Sequence, residues 1–121
     1  MRRAATLGDA WHQNVAPLDV FRKLVSEFRS IPQAKEKDIC VRIGLKPKAP
    51  KSEYVSPREE RRSLLSGSMT ENENTVTELE KLGVTHMLVA PSPDGNVPIP
   101  DQVVSLRAIS EAFIRKSNYI V

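Results

Sequence analysis

The densest run of side chains able to do chemistry lies near the start of the chain, at Trp11-His12-Gln13-Asn14. An indole can cover a flat ligand ring or close a substrate pocket. The imidazole beside it has a reference pKa near neutrality and can give a substrate a proton or a hydrogen bond, which makes His12 the candidate catalytic group. Gln13 and Asn14 would add polar lining. The alternative is that Trp11 only fills the interior. Asp9 could be a base, or it could accept hydrogen bonds that fix the preceding turn, and the second role suits its place better.

A second candidate is Gly67-Ser68, just ahead of a helix-like stretch. A helix start offers unpaired N–H groups and a positive dipole end, so a phosphate would sit there easily. An ordinary capping box uses the same residues without any ligand, and both Ser68-x-x-Glu71 and Thr70-x-x-Glu73 have its spacing. Arg42 alternates with apolar neighbours and could face either way, towards an anion or under a helix. His86 falls early in an apolar run and reads as structural. No His, Cys, Asp or Glu pair has metal-ligand spacing, so no metal site is expected. Cys40, the single cysteine, has no internal partner for a disulfide and no basic neighbour or helix start to activate it.

The elements that must position these groups alternate along the chain. Residues 2–7 read as the end of a helix stopped at Gly8. Asp9–Asn14 reads as a strand. Pro17 suits a helix start, and Phe21, Leu24, Val25 and Phe28 follow at helical spacing as a buried stripe. Ile39, Val41, Ile43 and Leu45 alternate with Cys40, Arg42 and Gly44 as a second strand. Pro47, Pro50 and Pro57 break up a charged run, so 46–62 reads as an excursion loop with at most one helical turn over Pro57–Ser63. A helix capped by Ser68 or Thr70 buries Val76, Leu79 and Leu82 and stops at Gly83. Val84–Val89 is apolar enough for a third strand covered on both faces. Asp101 would cap a last helix that buries Val103, Leu106, Ile109, Phe113 and Ile114, with 117–121 frayed. Alternating helices and apolar strands favour an α/β fold with a parallel sheet.

Bulk properties narrow the class. The chain has 121 residues, 40% of them hydrophobic and 27% charged, as in ordinary soluble domains. No apolar stretch approaches the roughly 18 residues of a membrane span, and the start lacks the apolar core of a secretory signal. A cytoplasmic protein without membrane association is expected. The formal net charge of +3 comes from the 46–62 segment, where six basic residues face three acids. Tyr54 is the only aromatic there, so a nucleic-acid partner is not expected.

Two blocks carry a resemblance to a known family. Arg2-Arg3-Ala4-Ala5 followed by Gly8-Asp9-Ala10-Trp11, and Gly67-Ser68 leading to Leu82-Gly83-Val84-Thr85-His86, resemble the C-terminal third of the bacterial-luciferase-like oxidoreductases. Ala10 stands where the family more commonly has glycine. The resemblance implies three strands of a (β/α)8 TIM barrel, the sixth to the eighth. It implies one partial-barrel domain over 1–121, in units of about 1–38, 39–83 and 84–121. It implies hydride transfer or monooxygenation of a small-molecule substrate with deazaflavin (coenzyme F-420) or FMN. In such a barrel Trp11 could lie against the isoalloxazine ring, and chemistry gathers at the carboxyl ends of the strands: Trp11–Asn14, the stretch from Lys46, and Ala90–Pro100. The family's glycine-rich phosphate turn would fall before Met1. The 121-residue chain by itself is therefore expected to bind neither cofactor and to be inactive. It should instead bury its open face in a homo-oligomer or against the missing half of the barrel. A non-catalytic truncated fragment or assembly module is the alternative function.

Overall fold

A computed structural model describes the whole chain except Lys48, Pro50, Asp94 and residues 115–121. Among the described residues the chain is an α/β protein with an open, mostly parallel five-stranded sheet and four α-helices, and the sheet does not close into a barrel. Helix α1 (Arg2–Thr6) leads to strand β1 (Ala10–Asn14). Helix α2 (Leu18–Ser30) and a short 3-10 turn (Pro32–Ala34) lead to β2 (Asp38–Leu45). Strands β3 (Glu53–Val55) and β4 (Arg61–Leu65) follow. Then come α3 (Met69–Lys81), β5 (Val84–Ala90) and α4 (Ile99–Ile109), which runs on as a π-helical turn over Ser110–Ile114.

Strand β2 is the spine. It pairs in parallel with β1 on one side, Trp11 opposite Ile39 and His12 opposite Cys40, and with β5 on the other, Cys40 opposite His86 and Arg42 opposite Leu88. Beyond the end of β1, β4 takes over that side of β2 through Gly44–Leu64 and Leu45–Leu65. Ser63 stitches the two together: its N–H donates to the Val15 carbonyl at 2.7 Å and its hydroxyl to that of Ala16 at 2.9 Å.

One face of this sheet carries the core. Ile39, Val41, Ile43 and Leu45 from β2 pack with Phe21, Val25 and Phe28 of α2 and with Leu79 of α3, all buried. The stripe expected on α2 is thus the one observed, with Leu24 half-buried at its margin. Helix α3 starts where the capping box places it: Ser68 is the N-cap, and its hydroxyl accepts from the Glu71 N–H at 3.2 Å. Gly83 ends that helix with φ of 97°, a conformation open to glycine at little cost. Arg29 ties the end of α2 to the start of β2 by donating to the carbonyls of Ala34 and Lys37, each at 2.7 Å.

Three expectations need correction. Residues 46–62 are not one long loop, since β3 pairs antiparallel with β4 across 53–63. The expected helical turn over Pro57–Ser63 is instead a turn held by Ser56, whose hydroxyl accepts from the N–H groups of Arg58 and Glu60, with Glu59 at φ of 62°. A bidentate Arg61–Glu53 pair joins the two strands. Second, β5 is not covered on both faces, because Thr85, His86 and Leu88 are exposed. Third, Asp101 lies inside the first turn of α4, whose N-cap is Pro98, and Val103 and Leu106 are exposed while Ile109 is buried. The expected fraying of 117–121 lies outside the described residues, as does the side chain of Ile114.

Candidate functional site

Successive side chains of a strand point to opposite faces. That rule divides the Trp11–Asn14 run, which lies wholly within β1 rather than in a loop beyond it. Trp11 faces the helices and is buried, stacked on Phe28 with ring centroids 4.9 Å apart and on Phe21 at 6.2 Å. Gln13, two residues on, shares that side and is half-buried. His12 and Asn14 belong to the opposite, bare face. The four residues therefore do not form one pocket.

The bare face has its own grouping. The register sets His12, Cys40 and His86 in one row across β1, β2 and β5. Asn14, Arg42 and Leu88 form the next row towards the carboxyl ends. A shallow, open groove of about 490 Å³ runs over the first row, lined by His12, Cys40, Thr85, His86 and Leu88 among others. The Thr85 hydroxyl is 2.9 Å from Nδ1 of His86, so when it donates there the ring proton sits on Nε2. Cys40 is half-buried between the two histidines. Among the described residues no group of three or more His, Cys, Asp or Glu could hold a metal ion. Farther along, Gly44 is covered by Leu64 and by Pro93, which follows β5.

A second cavity, about 450 Å³, opens beyond the carboxyl ends of β2 and β5. Lys46 and Pro47 line one side, Asn96 and Val97 another, and Asp101 and Val104 of α4 a third. The stretches from Lys46 and over Ala90–Pro100 bracket most of it in the sequence. The part supplied by α4 had no such marker, because its residues look like one side of an ordinary amphipathic helix.

Gly67 and Ser68 are remote in role from both cavities. The Gly67 N–H donates to the Pro47 carbonyl at 3.2 Å, and the Ser68 hydroxyl caps α3. The Glu71 carboxylate lies against Gly67, where a side chain would otherwise be. Among the described residues two perturbed ionisations occur at exposed ion pairs outside these cavities. The Arg22 hydrogen bond, and then the Lys81 charge, hold the Glu78 carboxyl below its ordinary range, and Glu53 raises Arg61.

No protein-family profile, no curated protein and no solved structure matches the chain. Among the described residues no helix is long and apolar enough to cross a membrane.

Proposed function

We propose that this chain is an assembly module: a half-covered α/β sheet whose role is to join other polypeptide. The observation that carries this reading is the asymmetry of the sheet. One face holds nearly all the buried apolar side chains, while the other leaves Thr85, His86 and Leu88 of β5 in solvent. Parallel strands normally have both faces covered, so a bare one calls for a neighbour. Multi-angle light scattering on the purified chain tests the reading. A dimer or larger species at micromolar concentration supports it, and a stable monomer overturns it.

A second reading is favoured by the parallel order β1-β2-β5 and by the cavity at the carboxyl ends of β2 and β5. In this reading the chain is the C-terminal segment of a luciferase-like oxidoreductase, a third of a (β/α)8 barrel, that uses deazaflavin or FMN on a small-molecule substrate. The described residues do not by themselves fit a flavin ring. Trp11 is stacked inside the helix-side core, and the groove over His12 is open where a cofactor pocket should enclose most of its ligand. Further β/α units would have to supply the enclosure. Titrating FMN and the deazaflavin into the chain alone and into a chain extended by the further β/α units, with ring fluorescence as the readout, separates the two readings: saturable binding by the extended chain only favours the second.

A further inference from the structure

The assembly reading, on which this inference rests, gains a second contact surface, because pairing at a strand edge extends the sheet and leaves its bare face still to be covered. We infer that the outer edge of β5 pairs with the β5 edge of a second copy, antiparallel about a two-fold axis near Met87, so that two sheets become one.

An unpaired strand edge is a row of N–H and C=O groups ready to bond another strand, and folded proteins protect such edges with short length, charge, proline or a cover. The edges of this sheet differ in how they are protected. Strand β3, at one end, is three residues long and carries Glu53, locked to Arg61 by two 3.2 Å hydrogen bonds. Strand β1 is five residues long, and the backbone just past its end is already bonded by Ser63. Strand β5 has seven residues, Val-Thr-His-Met-Leu-Val-Ala, with no acidic residue, lysine, arginine or proline. Among the described residues it pairs only with β2. Among the described residues it is the longest edge; β1 likewise has no charged residue or proline but is two residues shorter.

Its composition also selects the occupant. A strand carrying a charge is repelled by its own copy where like charges meet, and an uncharged one is not. Two copies of β5 can therefore lie side by side without electrostatic cost. An isologous contact of this kind closes as a dimer and leaves no new edge of the same type. Centring on Met87 gives every residue of the strand a partner: His86 faces Leu88 of the other copy, and Thr85 faces Val89. The His12–Cys40–His86 row would then run on into the Leu88–Arg42–Asn14 row of the other copy.

The test is a directed crosslink. In a Cys40→Ser background, Met87→Cys places the two thiols opposite one another, with Cα atoms about 4.5–5.5 Å apart, inside the range a disulfide spans. Mild oxidation should give a covalent dimer in good yield, and Val55→Cys on the β3 edge should not. Hydrogen exchange on the unsubstituted chain gives the second measurement: amides of β5 should exchange at least tenfold more slowly at high protein concentration than at low. A chain that assembles, yet shows neither the Met87→Cys crosslink nor concentration-dependent protection in β5, overturns this inference and leaves the assembly reading standing. A chain that stays monomeric overturns both.

Discussion

Trp11 and His12 are neighbours in sequence and opposites in structure. Trp11 lies in an aromatic stack with Phe21 and Phe28, buried under α2. Trp11→Ala should therefore cost about 3–5 kcal/mol of folding stability, the usual range for truncating a buried large aromatic. His12 is exposed, and His12→Ala should change stability by no more than about 0.5 kcal/mol. Urea denaturation of both variants checks the pair of values; equal losses would mean that the two faces of β1 are assigned the wrong way round. Glu78 offers a different kind of test. Its carboxyl is held below the ordinary range first by the Arg22 hydrogen bond and then by Lys81. A depressed carboxylate pKa contributes stability that is present above the unfolded-state value and lost as pH falls through the folded one. The group is exposed, so salt screens the effect. In a titration followed by NMR, Arg22→Gln should move the Glu78 midpoint upward, and added salt should move it the same way in the parent chain.

At the scale of elements, Gly44 shows how closely β2, β4 and the segment after β5 approach one another. A β-carbon there would stand 2.7 Å from Cδ2 of Leu64 and 2.7 Å from Cβ of Pro93. Gly44→Ala should destabilise the fold by about 1–3 kcal/mol through overpacking, read as a lowered Tm; Gly95→Ala meets no neighbouring atom but carries the strain of a positive φ. The helices and the parallel strands were legible in the sequence because their apolar residues recur at the period of one buried face, as Phe21, Val25 and Phe28 do in α2 and Ile39, Val41 and Ile43 in β2. The β3–β4 hairpin was not legible. Its strands hold together through Glu53–Arg61 and the Ser56 turn, and a run such as Arg61-Arg62-Ser63 has no apolar alternation to read. The burial of β5 was misread for the opposite reason. An apolar composition is the same whether or not a strand has a neighbour, and exposure at Leu88 depends on what stands beside it. The candidate site suffered from adjacency: Trp11, His12, Gln13 and Asn14 look like one cluster until the two-residue period of a strand separates them.

At the scale of the molecule, the sheet is unevenly anchored. Residues Ala10–Asn14 and Val84–Ala90 are held to β2 along most of their length, whereas β4 meets it only at Gly44–Leu64 and Leu45–Leu65. The hairpin from Glu53 to Ser63 hangs from that short seam and from the Ser63 bonds to Val15 and Ala16. Segments with few buried contacts open without waiting for global unfolding. The hairpin should thus behave as a hinged flap with its own, lower opening free energy. Arg58, Arg61 and Arg62 place three trypsin targets within it. Under native conditions a trace of trypsin should nick the chain there first and leave two fragments that stay together, since the strands on either side of the cut remain bonded to β2. Seen this way, the charged and proline-broken stretch is the point at which the chain can be cut, lengthened or exchanged while the three-strand parallel core stays whole.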